Sequence, residues 1–412
     1  MKKIFTLATL GLLSAASFEA QAQVTLDGQL TAAELTAGNY VLLGKSNNFT
    51  GNQNTGRPFG NNGLLSLYVA STPTKVYMFL GGTVENTGNS FQLYIDRPGT
   101  SGVPAGTFLP AGEAGTSFEK VTRIKLEQAV ELALALRGDG APVGAAPQPY
   151  KAEAAIYTSA TGVQSKSLTT APVSILGNGT AFTIPATATT GSYAGLAGAR
   201  MAYRNTTTGQ IDTNPGNTTP ITGATYGAAG SFGWEIELDR TALGVTTGTP
   251  AFRIFALYNN GNGGYASGEF IPQSTGALPA SLPSPNLGGA DNGPANDVDF
   301  ATIPGSQTIG FSLGANGALG TKAADESSVA MSVFPNPAAG SATVAYRVVG
   351  GAENVQIALT DLTGRTVRVL AAGVKGAGTQ SVKVSTADVA AGTYMVRVQV
   401  GEKVAVRRVV LL

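Results

Sequence analysis

The sequence predicts an all-β protein made of two sandwich-like parts, and two observations lead to that prediction. First, the composition disfavours long helices. Glycine is abundant at 55 residues and only 12% of residues are charged, whereas amphipathic helices need many Glu, Lys, Arg and Leu residues. Second, apolar and polar residues alternate in short runs along much of the chain. Such alternation is typical of strands with one buried face.

Residues 1–22 have the pattern of a signal peptide. Residues 2–3 are positively charged, residues 4–13 are mostly apolar, and Ala20 and Ala22 provide small residues at a cleavage site before Gln23. The mature chain is therefore expected to begin at Gln23. A buried core helix is the alternative interpretation. The apolar stretch is too short to span a bilayer, and no later segment is long enough, so no transmembrane helix is expected after signal removal.

The chain has no cysteine and no histidine. This excludes disulfides, thiolate nucleophiles, Ser-His-Asp catalysis and zinc sites built on histidine. Residues 23–320 hold 14 basic and 18 acidic residues, and residues 321–412 hold 10 and 6. No basic stripe with interleaved aromatic residues is present, so we expect no nucleic-acid partner.

A linker divides the mature chain. Residues 314–328 are rich in Gly, Ala and Ser and lack an apolar period, which is typical of a flexible connection. We therefore expect a β-sandwich domain at 23–318, a linker at 319–328 and a small domain at 329–412.

Strands are predicted in the N-terminal domain where apolar or alternating runs end at turn residues. The clearest runs are residues 64–70, 76–80, 91–96, 234–239, 252–258 and 307–313. Only residues 117–136 have room for a longer helix. We predict helix or turn in the first half of this stretch and strand in the second, because residues 130–136 alternate.

The C-terminal domain repeats the strand pattern on a smaller scale. About seven short runs occur at spacings of roughly ten residues, which predicts a small Ig-like seven-strand sandwich. Pro335 and Pro337 fix the backbone and withhold two N–H donors, so they should lie at an edge or a domain entry. A tight turn is expected at 361–364, with Gly364 at positive φ.

Three motifs follow one another in this domain. They are Phe334-Pro335-Asn336-Pro337, then Asp361 with Gly364 and Arg365, and finally Gly392 with Tyr394. In this order, and at this place in the chain, they resemble the type A C-terminal sorting domain of proteins exported by the type IX secretion system. The nine named residues are the expected sorting motif.

This resemblance implies an export route and two partners. The outer-membrane translocon would recognise the domain, and a sorting protease would remove it, with cleavage expected near 318–330. The rest of the chain, called the passenger below, would travel through the periplasm and be released or anchored at the cell surface. The resemblance also implies a Bacteroidota-like source.

A second resemblance runs through the passenger. Residues 24–30 (VTLDGQL), 76–79, 93–96 and 234–244 follow the order of segments in family 9 carbohydrate-binding modules and related DOMON-like sandwiches. The resemblance implies a sandwich that binds polysaccharide. Modules of that family commonly hold sugars between exposed aromatic rings.

The aromatic residues of the passenger fit this hypothesis only in part. Trp234, the single tryptophan, alternates with apolar residues and is expected on a buried face. Tyr258, Tyr265 and Phe270 flank a stretch rich in Gly and Asn, and they are the candidate ligand-binding residues of a stacking surface carried by a loop. The alternative is that they are core residues.

Catalysis has little support in the sequence, and we name no catalytic residue. Glycoside hydrolysis needs two carboxylates across the scissile bond. Glu235, Glu237 and Asp239 lie on one face of a predicted strand at successive spacings of about 7 Å. Acids opposite an apolar face are more typical of the solvated side of a sheet, which is where we expect them.

Calcium is the one cofactor that the sequence suggests. Residues 291–299 place Asp291, Asp297 and Asp299 among amide oxygens in a short loop, and calcium prefers such oxygen ligands. No Glu closes the loop as in an EF-hand. A polar turn without metal is the alternative.

The sequence therefore predicts a protein exported through the type IX secretion system, secreted or anchored at the outer surface. Its passenger is expected to be a non-catalytic binding or structural β-sandwich, with polysaccharide as the candidate ligand. Two alternatives stay open: a glycan-acting hydrolase with an acid pair, and a matrix or adhesion protein.

Overall fold

A computed structural model describes most of the chain. The described residues are 24–36, 40–46, 62–86, 88–97, 99–140, 147–169, 174–206, 215, 227–244, 251–272, 286–292, 297–303, 307–314, 317–319, 329, 331–348, 352–361, 366–385, 388–401 and 403–411. The predicted signal peptide with Ala20, Ala22 and Gln23, and the predicted linker beyond residue 319, lie outside them. In the described part no helix has the length and apolarity needed to cross a membrane.

The described elements are almost all strands. They are β1 (Val41–Lys45), β2 (Gly63–Ser71), β3 (Lys75–Thr83), β4 (Asn89–Asp96), β5 (Ile124–Lys125), β6 (Leu132–Gly138), β7 (Pro149–Tyr157), β8 (Val163–Ser167), β9 (Ile175–Leu176), β10 (Phe182–Thr183), β11 (Arg200–Tyr203), β12 (Gly233–Asp239), β13 (Ala251–Asn260), β14 (Ala266–Ser267), β15 (Phe270–Ile271), β16 (Asn286–Gly288), β17 (Val298–Asp299), β18 (Ile309–Gly314), β19 (Gly317–Leu319), β20 (Ser332–Phe334), β21 (Ser341–Val348), β22 (Glu353–Thr360), β23 (Thr366–Lys375), β24 (Gly378–Ser385), β25 (Gly392–Val400) and β26 (Lys403–Leu411).

The helical elements of the described residues are short. One α-helix, α1, spans Ala32–Thr36, and single turns of 3₁₀-helix occupy Val121–Arg123, Ala186–Ala188, Gly191–Leu196, Ala290–Asn292 and Phe300–Thr302.

Two sheets of the passenger face each other across an apolar core. One has the order β1-β2-β3-β12-β11-β10, and the other has β19-β18-β13-β4-β6-β7-β8, with β15 beside β13 and β9 beside β7. Alternate side chains of each strand point into the core. Met78 and Trp234 from the first sheet pack in the same cluster as Leu93, Leu134 and Ile254 from the second. The passenger is therefore a β-sandwich, as predicted.

The outer face of the six-stranded sheet is covered by the start of the described chain. Leu30 and Tyr40 pack against Tyr68, Tyr77 and Phe79, which point away from the main core. The backbone is tied to the sheet as well, because Gln29 bridges to Phe232. This cover turns an outward-facing surface into a second buried layer.

The outer face of the nine-stranded sheet is also covered. Segment 103–130 and the described parts of 286–303 (residues 286–292 and 297–303) lie over it, and their apolar residues pack on Tyr94 and Phe255 of the sheet. Phe300 is in aromatic contact with Phe255, at a ring separation of 4.6 Å. The short parallel pair β5–β17 joins the two covering segments. Both outer faces of the sandwich are therefore largely buried by the passenger's own chain.

The C-terminal part forms a smaller sandwich of two sheets. Their orders are β20-β21-β24 and β23-β22-β25-β26, which gives the seven strands of the predicted Ig-like sandwich. Val344, Tyr346, Ile357 and Val398 are buried between the sheets. The edge strand β20 ends at Phe334, so the proline pair follows an edge strand as predicted.

The structure confirms the strands that alternation predicted, with bounds that differ by a few residues. The ambiguous stretch 117–136 also divides as expected, into turns with a 3₁₀-helix at Val121–Arg123 and the beginning of β6. The covering segments were not foreseen, because irregular chain has no period that marks what it packs against.

Candidate functional site

The sorting motif ties the first and last strands of the C-terminal sandwich together. Asn336 Oδ1 accepts a hydrogen bond from the backbone N–H of Val410 at 2.9 Å. Two residues later the backbone N–H of Ala338 donates to the Val410 carbonyl at 2.8 Å. Pro335 and Pro337 flank this contact and fix the backbone in the bend that follows β20. The motif therefore fixes β26, the strand that closes the four-stranded sheet.

The second described part of the motif is built around Tyr394. Its hydroxyl donates to the Ala390 carbonyl, four residues upstream, at 2.9 Å. A Cβ on Gly392 would lie 3.5 Å from the Tyr394 ring, so Gly392 and the ring lie side by side at the start of β25. Tyrosines that bond back in this way pin the corner of Ig-like sandwiches. Asp361 directly follows the end of β22, whereas Gly364 and Arg365 lie outside the described residues.

In the passenger, Glu235 occupies a site that the sequence did not predict. Glu235 is buried. Its Oε2 accepts from the backbone N–H groups of Asp27 (2.9 Å) and Gly28 (3.0 Å), and its Oε1 accepts from the Tyr40 hydroxyl at 2.6 Å. The segment 24–30 and the Trp-Glu-Ile strand, 208 residues apart, are therefore joined through one carboxylate.

Gly28 is required by this arrangement. It has φ of +69°, and a Cβ there would lie 2.6 Å from the backbone nitrogen of Arg204. Any other residue would be strained in this conformation and would clash with the neighbouring strand.

The prediction of a solvated acidic face on β12 is wrong. Glu235 and Glu237 are both buried, because the chain start covers this face. Glu237 lies between Lys75 Nζ at 3.6 Å and Arg200 Nη1 at 3.3 Å, and the same Lys75 lies 2.8 Å from Asp239. The three acids do share one face. Their carboxylates are hydrogen-bonded to, or ion-paired with, other groups of the same chain.

Burial changes the titration of Glu235. Desolvation raises the pKa of Glu235 to about 7, and the hydrogen bonds from Tyr40, Gly28 and Asp27 lower it in part. Burial and the neighbouring Glu235 charge also raise the pKa of Tyr40. The tyrosine therefore stays a hydrogen-bond donor to the carboxylate.

We expect this glutamate to make the stability of the passenger depend on pH. The folded pKa lies above the ordinary value of 4.5, so the folded state binds more protons between these values. The free energy of unfolding must then fall as pH rises from 4.5 to about 7, by up to ~3 kcal/mol. Glu235→Gln stays neutral and should flatten this fall, as measured by urea unfolding at several pH values between 4.5 and 8.

A companion variant sharpens the test. Tyr40→Phe removes a hydrogen bond that favours the charged form, so the fall should move to higher pH than in the wild type. Equal pH slopes for the wild type and Glu235→Gln would contradict the assignment.

Sequence reasoning also missed two other buried acids. Glu131 accepts from the Arg97 backbone N–H at 2.6 Å, and burial raises its pKa to about 7. Glu153 accepts from the Ser117 N–H at 2.6 Å and lies 2.8 Å from Arg137. Glu153 lies between two alanines in a strand rich in apolar residues. This acidic residue in an apolar run was the one feature of the sequence that could have indicated a buried carboxylate.

The predicted stacking surface is not formed. Tyr258 and Phe270 are buried, in the main core and in the layer under segment 286–303 respectively. Tyr265 is partly exposed. The interpretation of Tyr258 and Phe270 as surface residues is wrong, because β13 and β15 carry them into the sandwich. Trp234 is buried, as predicted.

Each of the three aspartates of the candidate calcium loop lies in an ion pair with a lysine or arginine. Asp291 lies 2.7 Å from Lys120, Asp297 lies 2.6 Å from Arg123, and Asp299 lies 3.6 Å from Lys125. The bond from Lys120 lowers the pKa of Asp291. Among the described residues, no three acids are grouped so that they could hold a metal. These contacts support the turn without metal, and calcium binding here stays a prediction.

Comparisons with known proteins bear on the C-terminal part. Residues 332–412 match the family model of the secretion system C-terminal sorting domain. No curated protein sequence shows a significant match to the chain.

Two solved structures are weakly similar. The crystal structure of dimeric latent PorU from Porphyromonas gingivalis has 10% identity and a TM-score of 0.18, over 91% of this chain and 34% of that one. The BSP domain of a biofilm associated protein has 9% identity and a TM-score of 0.17, over 89% of this chain and 54% of that one. The chain thus spans about a third of the length of the PorU structure and about half of that of the BSP domain.

The C-terminal sandwich is a type IX secretion C-terminal sorting domain, which confirms the prediction from its motifs. A tail of this kind implies handling by the type IX secretion machinery. It also implies secretion or attachment at the outer surface.

Proposed function

We propose that this protein is exported through the periplasm by the type IX secretion system, to carry a non-catalytic β-sandwich out of the cell. The sorting domain is the export signal, and the sorting protease removes it near 318–330. The passenger then acts as a binding or structural module, released or held at the surface.

The burial of the passenger's acids supports a non-catalytic role. Glu131, Glu153 and Glu235 are all buried. Backbone N–H groups, Arg137 or Tyr40 of the same chain occupy their oxygens. A general acid must reach its substrate directly or through one water. Carboxylates buried and bonded in this way hold covering segments onto the sheets.

Polysaccharide is the ligand class that we propose for the passenger. The resemblance to family 9 carbohydrate-binding modules supports it. The contact between Gly28 and Glu235 shows that two of the segments behind that resemblance are joined in space. The polymer must bind through exposed residues other than Tyr258 and Phe270, because these two side chains are buried.

A glycan hydrolase is the second candidate, and one observation favours it. Burial raises the pKa of both Glu131 and Glu235 to about 7, which is in the range of a general acid. To act, Glu131 would have to leave the Arg97 N–H, and Glu235 would have to leave Tyr40 and Gly28. Release of reducing ends from a polysaccharide would establish this function.

The test uses the mature chain, from residue 23 onward, mixed with a panel of insoluble polysaccharides in calcium or in chelator. Depletion of protein from solution and release of reducing ends are both measured. We expect saturable depletion by one polymer without product.

Each other outcome has a definite meaning. Loss of depletion in chelator would indicate that the polymer-binding site depends on calcium held by the 291–299 loop. Product release abolished by Glu131→Gln or Glu235→Gln would establish the hydrolase. Absence of depletion by any polymer would refute polysaccharide binding and leave a matrix or adhesion protein, for which self-association is the next measurement.

A further inference from the structure

The two outer faces of the sorting domain differ in chemistry. On the four-stranded sheet, residues that pair across strands share a face, and three adjacent rows of those opposite the core are considered together. The rows are Val369, Ala358, Arg397 and Val406, then Ala372, Gln356, Gln399 and Val404, then Val374 and Asn354. We call this set the valine face.

The valine face exposes apolar side chains at one edge of the sheet. Val374 is 70% exposed and Val369 is 53% exposed, and both belong to the edge strand β23. Isolated exposed apolar residues are common, but a run of them along an edge is what native proteins usually avoid.

The face has a charge of one sign. Arg397 lies within it and donates to Gln399 at 3.0 Å. No residue of the three rows is acidic. Carboxylates of the domain, such as Glu353 and Asp388, lie outside the rows.

The opposite outer face is mainly hydrophilic. On β21 and β24 the residues that point away from the core are mainly hydroxyl-bearing and basic: Ser341, Thr343, Ala345 and Arg347, with Thr379, Ser381, Lys383 and Ser385. Their neighbours Ala342, Val344, Tyr346 and Val348 are buried in the core. The edge strand β20 adds one apolar side chain to this face, because Phe334 pairs with Thr343 and is 51% exposed. The valine face is therefore the more apolar of the two faces.

We infer that the valine face is the surface by which the export machinery holds this sorting domain, through an apolar patch flanked by carboxylates. This inference rests on the proposed export function. Valines on a flat sheet provide apolar contact area, and Arg397 selects a partner of opposite charge. The sorting motif contributes indirectly, because Asn336 holds β26, which carries Val404 and Val406.

A second copy of the chain fits this face less well. Two valine faces brought together would bury two arginines with no carboxylate between them, and like charges in an interface are unfavourable. A partner that supplies the missing acids avoids this cost.

The test follows export of the full chain in a bacterium that has the type IX system. Val369→Thr with Val374→Thr keeps β-branched side chains at exposed positions, so the fold should hold, and unchanged thermal melting of the purified variant checks this. We expect the rate of appearance outside the cell to fall on the order of tenfold, from the lost apolar contact.

The matched control lies on the opposite face. Thr379→Ser with Ser381→Thr should leave export at the wild-type rate. A chain that ends at residue 331 is included to test the proposed function itself. If this truncated chain is retained and the valine variant is exported normally, the docking surface is refuted and the export function stands. If the truncated chain is exported, both fail.

The charge is tested separately. Arg397→Glu should reduce export further, whereas Arg397→Lys should keep most of it. Equal export by these two variants would refute the carboxylate-flanked partner. Dimerisation of the purified full chain that is lost in Val369→Thr/Val374→Thr, measured by sedimentation, would assign the face to a second copy and overturn the inference.

Discussion

Truncation after residue 331 should keep the protein inside the cell. The change removes residues 332–412, the whole region that matches the sorting-domain family, and leaves the signal peptide pattern intact. The truncated chain should then cross the inner membrane and accumulate in the periplasm, with essentially none outside. Fractionation with immunodetection measures this. Appearance of the truncated chain in the medium at the wild-type rate would contradict it.

A point substitution tests the same region with less disturbance. Asn336→Leu removes the acceptor for the Val410 N–H, whereas Asn336→Asp keeps an oxygen at that position. Loss of one such bond costs about 1 kcal/mol and should loosen β26. We therefore expect export to fall with leucine and to be largely kept with aspartate.

Arg137→Met should be the most destabilising single change that we predict in the passenger. Arg137 lies 2.8 Å from Glu153, whose side chain is fully buried. Removing the arginine leaves an uncompensated buried carboxylate, which costs about 3–5 kcal/mol. Trp234 is the single tryptophan and is buried, so its fluorescence reports unfolding of the passenger in urea.

A surface pair provides the control for this change. Lys151 lies 2.6 Å from Asp139, and both side chains are partly exposed. Lys151→Met should cost less than about 1 kcal/mol. Adding Glu153→Gln to Arg137→Met should restore much of the loss, because the buried charge is then gone. Equal losses in the free energy of unfolding for Arg137→Met and Lys151→Met would show that the buried ion pair matters no more for stability than the exposed one.

The local patterns of the chain predicted much of the sandwich. In β12, Trp234 alternates with Ile236 and Leu238, and the structure places all three in the core. Period-two alternation works here because it depends only on neighbouring residues. The same rule failed for Glu235 on the other face, since it assumes that the polar side of a strand meets water.

What the sequence could not show depends on contacts between distant parts of the chain. The segment that covers Glu235 lies about two hundred residues away and has no period of its own. The same applies to Tyr258 and Phe270, which flank a stretch rich in Gly and Asn but are carried into the sandwich by β13 and β15. For the aspartates of 291–299, local composition suggested a metal, while Lys120, Arg123 and Lys125 come from another segment.

The sorting domain was the most predictable part, because its motifs recur in a known family. The structure adds physical reasons for some of them. Asn336 fixes the last strand, and Tyr394 bonds back to Ala390 beside Gly392. These residues stabilise the fold of the domain. This is consistent with an export signal that the secretion machinery recognises in its folded form.

The most direct measurement places residues 320–412 behind an unrelated secreted reporter that carries a signal peptide. The fusion is expressed in a bacterium with the type IX system and in a matched strain without the translocon. We predict that the reporter reaches the surface or the medium only in the first strain. Retention of the reporter in the periplasm of both strains, with the wild-type chain exported normally, would contradict the claim that this domain alone directs export.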